Sequence, residues 1–309
     1  MSHDQPYESP KPWPADEPGS PSNVPRTRPR VWPSVLAPIA GIGVAAALQA
    51  VVIIGLVIFG QAFGSPPDLL EMLTDPPVFI LLLILGQLGF AIVAFAAGHF
   101  SPEPMRQRVA FPAKPASKKI YLLTMLGSIF VLAIAALAAN AMTLLFEPDK
   151  SFENLFEKMT IGWAIPFVLL IGILPGFFEE ILFRGYVQTR FLKRWSPPVA
   201  IAVSSILFGI AHVAPHSVAL ATVFGIWFGY IAWRCDSIGP GILCHFFVNA
   251  GLNLWRMIVK FAEISDTVQW VVSVVLVVVG LICFVLAIRE LQKLPPPTSF
   301  APEMTGSPS

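Results

Sequence analysis

Two adjacent carboxylates, Glu179 and Glu180, and an arginine four residues on, Arg184, end an apolar run that carries no other charge from Ile161 onward. In hydrocarbon an ionised side chain costs about 2.5–3.5 kcal/mol on insertion scales, so such residues face a cavity or a partner. Residues four apart share a helical face, which lets Glu180 meet Arg184, while Glu179 projects roughly 100° away from its neighbour. One carboxylate is thereby paired and the other is left for chemistry. Pro175 and Gly176, just before them, remove a ladder hydrogen bond and loosen the helix, which opens room beside Glu179. A helix ending at the membrane surface with a solvated Glu–Arg pair explains this stretch equally well when it is taken alone.

Three further polar residues interrupt apolar stretches: His212, His245 and Asn249. Phe208 and His212 are four apart, as are His245 and Asn249, so each pair occupies one helical face. Each has a plain structural reading, since a lone intramembrane histidine usually serves as an interhelical hydrogen-bond donor. His99 and His216 read as interfacial residues, Gln87 and Asn140 as packing between helices, and Asn253 as either site or support. Taken together, a free glutamate, two histidines and an asparagine are the groups needed to activate water and hold an oxyanion.

The elements that must position these groups are membrane helices. The chain has 309 residues, 55% hydrophobic and 13% charged. Soluble domains carry about 25% charged residues, so this is an integral membrane protein. A net charge of +1 without a basic patch gives no reason to expect a nucleic acid partner. Cys235, Cys244 and Cys283 lack metal or CxxC spacing and read as small apolar residues.

The spans expected by length are 35–63, 77–98, 120–146, one from 161 that carries Glu179, two within 195–233 separated at Ala214-Pro215, 238–258 and 268–288. The fold class is therefore all-α, a polytopic membrane helix bundle of about eight transmembrane helices. Residues 1–34 read as a disordered Pro-rich cytoplasmic tail and 289–309 as a second Pro/Ser-rich tail. The first is too long and polar for a cleaved signal peptide. Eight spans place sixteen of the 20 Lys and Arg on one side, which puts both termini in the cytoplasm. Gly172/Gly176 and Gly225/Gly229 are small-residue pairs suited to close helix packing.

Glu179-Glu180-x-x-x-Arg184, Phe208-x-x-x-His212 and His245-x-x-x-Asn249, in this order, resemble the three motifs of the CPBP family, the type II CAAX prenyl proteases and bacteriocin-processing (Abi) intramembrane proteases. The similarity covers about residues 160–260, leaving 35–146 (helices one to three) and 268–288 (helix eight) as additions. The soluble zincin signature HExxH is absent. The resemblance implies an intramembrane endopeptidase in a bacterial-type plasma membrane, acting on a peptide or prenylated protein substrate. It implies Glu179 as general base, with His212 positioning the water, His245 and Asn249 holding the oxyanion, and Glu180 with Arg184 as the pair that fixes helix four. The family is commonly labelled metalloprotease, and Glu179, His212 and His245 could coordinate zinc with water in a fourth place. The same residues can activate water without metal, the reading favoured for the mechanism.

Depth sets a further expectation. If the fifth helix starts at Pro198, His212 lies fourteen residues in, roughly 21 Å at 1.5 Å per residue. Glu179 reaches a similar level if its helix continues past Arg184 towards Trp195, ending in snorkelling Arg190, Lys193 and Arg194. A transporter or proton relay would need polar lining through to the far side, which helices one, two, three and eight do not offer. A non-catalytic scaffold or immunity protein on the same bundle is the remaining alternative.

Overall fold

The computed structural model describes residues 30–64, 68–100, 116–147, 151–295 and 297. Most of both expected tails, and Arg106, Arg108, Lys114 and Lys150 from the charge asymmetry, lie outside these residues. Among the described residues the chain is helical throughout. The helices are α1 (Trp32–Ala62), α2 (Leu69–Leu73), α3 (Pro76–His99), α4 (Lys118–Ala141), α5 (Ser151–Lys158), α6 (Ile161–Leu192), α7 (Pro197–Ile210), α8 (Pro215–Cys235), α9 (Gly239–Phe261) and α10 (Asp266–Gln292). Seven of them are long and apolar enough to cross a membrane: α1, α3, α4 (counted to Leu144), α6, α8, α9 and α10. The eighth expected span is α7, an apolar helix of 14 residues and about 21 Å, shorter than the hydrocarbon core.

Helix starts and stops follow local chemistry. Ser117 caps α4 by accepting from the Ile120 N–H at 3.3 Å, and Asp68 caps α2 through the Glu71 N–H at 2.9 Å. Pro197 and Pro198 open α7, where their missing N–H groups go unmissed. Asp236, in the left-handed region at φ 49°, ends α8.

α6 is the central element, with α3 on one side and α9 on the other. Its contact with α9 depends on the first small-residue pair. A Cβ on Gly172 would come within 2.8 Å of the Phe246 ring, and one on Gly176 within 3.1 Å of the Phe246 backbone nitrogen. The second pair, on α8, admits α7 and α6: a Cβ on Gly225 would meet Ser205 at 2.8 Å, and one on Gly229 would meet Gln188 at 2.6 Å. In lipid, where apolar surface gives little drive to associate, such close approach supplies the packing. α4 joins α8, α9 and α10, and α1 lies along α3. Both α1 and α10 leave large apolar side chains such as Val51 and Val275 exposed, as lipid-facing helices do.

The helix bearing the two glutamates does continue past Arg184, to Leu192. From Ile181 to Gln188 it widens into a π-helix, every residue of which is buried. Wide turns of this kind are rare and concentrate at functional sites. Freed carbonyls find side chains: Ser204 Oγ donates to the Phe183 carbonyl at 3.3 Å, and Thr189 Oγ1 donates to those of Gly185 and Tyr186.

Candidate active site

The polar centre sits where α6 turns from α to π. Arg184 donates from Nη1 to Glu180 Oε1 at 2.8 Å, with both side chains essentially out of contact with solvent. The guanidinium lies over Phe208, 4.2 Å from its centroid, and 5.5 Å from that of Phe228, and Nη2 reaches the Gly225 carbonyl at 3.4 Å. A buried charge needs this much company, because the attraction of the pair alone rarely offsets the loss of water. Arg184 is therefore a site group and contributes nothing to the loop charge that orients the helices.

His245, on α9, joins the same carboxylate: its Nδ1 is 3.1 Å from Glu180 Oε1. Its other nitrogen, Nε2, lies 3.9 Å from Glu179 Oε2. That gap is too long for a direct bond and wide enough for a water to bond both atoms at ordinary lengths. The imidazole is held in plane by Phe228, stacked at 5.1 Å, and by the edge of Phe208 at 5.9 Å. A histidine whose Nδ1–H donates to a carboxylate presents its Nε2 lone pair outward, and here outward means towards Glu179.

Glu179 is 5% exposed. Its Oε1 accepts from Gln87 Nε2, on α3, at 2.7 Å. Its Oε2 is buried with no hydrogen-bond partner among the described residues. The unpaired carboxylate expected from the helical spacing is thus tied at one oxygen only. Gln87, expected from the sequence to pack between helices, does so by bonding this carboxylate. A glutamine inside an apolar span looks the same whether it bonds a backbone carbonyl, as Gln49 does with Leu82 at 2.9 Å, or a carboxylate.

His212 stands at the end of α7, where its Nδ1 bonds the Phe208 carbonyl at 2.9 Å and its ring meets the Phe208 edge at 5.0 Å. Phe208 thereby touches Arg184, His212 and His245 at once. Behind His212 the chain makes a tight turn: Ala214 N–H donates to the His212 carbonyl at 2.7 Å across Val213, at φ 61°. Positive φ is strained for a β-branched residue, and strain of this kind clusters at functional positions.

Asn249 bonds the backbone of α6. Its Nδ2 donates to the Ile171 carbonyl on α6 at 3.2 Å. That carbonyl lies four residues before Pro175, which has no N–H to give it, so the Asn249 amide fills the bond the proline removes. Asn253 donates to the Asn249 carbonyl at 2.8 Å and supports this seam. Of the remaining polar residues, Asn140 accepts from Thr143 Oγ1 at its backbone carbonyl, His99 rests on Phe100, and both ring nitrogens of His216 are buried with no hydrogen-bond partner among the described residues.

Among the described residues no group of three or more His, Cys, Asp and Glu side chains could hold a metal ion. The Nδ1 atoms of His212 and His245 are engaged by the Phe208 carbonyl and by Glu180, so Nε2 of each and Glu179 Oε2 are the donors a metal would use, and they would have to draw together to hold one.

The motif-bearing part of the chain has recognisable relatives. Residues 161–251 match the family model described as type II CAAX prenyl endopeptidase, Rce1-like. A Bacillus subtilis (strain 168) protein named "Putative membrane peptidase YdiL" is 24% identical over 132 residues, which cover 42% of this chain and 54% of that protein. The chain thus spans about half the length of the curated relative it matches. No solved structure matches. The shared segment, α6 to the middle of α9, contains Glu179, Glu180, Arg184, Phe208, His212, His245 and Asn249, and in this core the chain is similar to the type II CAAX prenyl endopeptidases that the Rce1-like model describes.

Proposed function

We propose that this protein is an intramembrane endopeptidase of the CAAX prenyl protease type. The observation that carries the reading is the facing pair formed by the unpartnered Glu179 Oε2 and His245 Nε2, 3.9 Å apart in a buried, aromatic-walled site. A water between them would give its proton to Glu179 as its oxygen attacks the scissile carbonyl. His212, with Nδ1 committed to the Phe208 carbonyl, would offer Nε2 to position that water. The developing oxyanion would be held by His245 in its protonated form, with Asn249 contributing if its amide leaves the Ile171 carbonyl as substrate enters. Glu179 would then pass its proton to the leaving amine. Buried dipoles and charges act strongly on such a transition state because little water screens them.

The contact between His245 Nδ1 and Glu180 favours a second allocation within the same site. There Glu180 orients His245, and His245 Nε2 takes the proton with Glu179 as its partner, as in other carboxylate–imidazole pairs. The substrate would be a prenylated protein tail or another membrane-bound peptide, entering from the bilayer or the cytoplasm, with both termini of the chain cytoplasmic. In both allocations the proton moves between side chains of this chain and the water.

The test is cleavage of a farnesylated CAAX peptide reporter by the purified protein in detergent. Wild type is expected to cleave it and Glu179→Ala to lose about 10²–10⁴-fold in rate. A zinc chelator is expected to leave the wild-type rate unchanged; a loss restored by zinc would replace this mechanism with a metal-dependent one. Equal rates in wild type and Glu179→Ala would remove Glu179 from the chemistry. A wild type that spares the farnesylated reporter and cleaves an unprenylated membrane peptide would move the substrate class.

A further inference from the structure

Gln87 lies on α3, outside the residues 161–251 that match the family model, yet its amide donates a hydrogen bond to Glu179. We propose that Gln87 is a positioning residue for Glu179: it holds Oε1 so that Oε2 faces His245, and it follows the carboxyl through both of its protonation states. This rests on Glu179 being the proton acceptor of the reaction.

Three observations carry it. The bond is short, 2.7 Å, between side chains 92 residues apart on helices that pack directly against each other. Gln87 is 7% exposed, so water does not compete for the amide. Its own oxygen, Oε1, is buried with no hydrogen-bond partner among the described residues. An amide whose nitrogen were needed only to join two helices would ordinarily find an acceptor in the backbone, as Gln49 does on the Leu82 carbonyl.

The chemistry explains the choice of an amide. A general base alternates between carboxylate, which only accepts, and carboxylic acid, which also donates. Lysine or arginine could donate to either form but could not accept from the O–H of the acid, and an ionised second carboxyl would repel the carboxylate. Glutamine has both a donor and an acceptor on one planar group without charge. Turning over about its last side-chain bond lets Nε2–H serve the carboxylate and Oε1 serve the acid, where the unpartnered oxygen finds its use. Rotation about that bond is a soft motion compared with any movement of α3 or α6.

The test uses the full chain in lipid vesicles, with Gln87→Met, which keeps length and helix preference but has no N–H to give, and Gln87→Glu, which keeps shape but puts an acceptor where the donor was. Two readouts are taken. With the farnesylated reporter, both variants are expected to lose at least about tenfold in kcat while KM stays within about twofold and the melting temperature is unchanged. By infrared spectroscopy at low pH, the Glu179 carboxyl C=O band, identified by its loss in Glu179→Gln, is expected to move to higher wavenumber in Gln87→Met because the acid has lost its hydrogen-bond partner on Gln87. A Gln87→Met protein with wild-type kcat and an unmoved Glu179 band overturns the proposal, as does a kcat loss that a lowered melting temperature fully accompanies. The infrared arm needs no substrate. If wild type cleaves nothing, the endopeptidase reading fails, while a moved or unmoved band still decides whether Gln87 holds Glu179.

Discussion

The two faces of α6 that carry Glu180 and Glu179 use their polar atoms differently. On the first, Arg184, His245 and the rings of Phe208 and Phe228 enclose one carboxylate oxygen with charge, imidazole and π-faces. On the second, one amide from a neighbouring helix ties one oxygen; the second oxygen of each carboxylate has no hydrogen-bond partner among the described residues, and that of Glu179 lies 3.9 Å from His245 Nε2. A crowded ion pair is suited to holding helices in place, and an underused carboxylate is suited to exchanging a proton. The sequence places these two environments on consecutive residues, and the helix separates them by its turn.

That contrast can be broken from the crowded side first. Arg184→Met leaves Glu180 buried without its counter-charge, and is expected to destabilise the protein by about 3–5 kcal/mol, read from reversible unfolding in mixed micelles. The companion double variant, Arg184→Met with Glu180→Leu, removes both charges and should recover most of that loss, since replacing a whole buried pair by apolar groups is often near neutral. If the double variant is as unstable as the single one, the pair is not what closes this face. On the other face Glu179→Leu leaves the buried Gln87 amide without its acceptor and should cost about 1–3 kcal/mol, less than breaking the ion pair, while abolishing cleavage.

Smaller effects sharpen the picture at the seam between α6 and α9. Asn249→Ala exposes the Ile171 carbonyl that Pro175 leaves without a donor, and is expected to cost about 1–3 kcal/mol of stability. Pro175→Ala restores the N–H and should make the Asn249→Ala loss smaller, a coupling that a double-mutant cycle measures directly. The smallest change is Phe228→Leu, which removes the ring stacked on His245 and should cost about 0.5–1.5 kcal/mol beyond the lost area, with the larger consequence in kcat as the imidazole loosens.

Local spacing carries part of this arrangement in the sequence. The i,i+4 relation of Glu180 and Arg184, the small-residue pairs on α6 and α8, and the apolar lengths of seven helices all come from helical periodicity, which a sequence displays. α7 is the exception, because a largely apolar stretch between Ser196 and the Ala214-Pro215 turn resembles a span until its fourteen-residue helix is measured against the hydrocarbon core. Contacts between distant elements are not legible. Nothing in Gln87 distinguishes it from Gln49 until α3 and α6 are side by side, and nothing in Asn249 says that its amide answers a proline on another helix. The contact of His245 with Glu180 spans 65 residues, so the pairing of an imidazole with the glutamate of the ion pair needs the fold.

The widened stretch from Ile181 to Gln188 has a consequence for length changes in this helix. A π turn accommodates an extra residue relative to an α turn, so it offsets the angular phase of the later turns from that of the earlier ones. Arg184 and Gln188, four apart within it, reach the Gly225 and Gly229 carbonyls, themselves four apart on α8. Adding one further residue between Ile181 and Gly185, beyond what the wide turn already absorbs, would swing the C-terminal end of the helix by about 100°. Gln188 would then lose Gly229, and Glu179 and Glu180 would keep their places. The bulge works as a vernier, setting the register between the half of the helix that bears the carboxylates and the half that anchors it to α8.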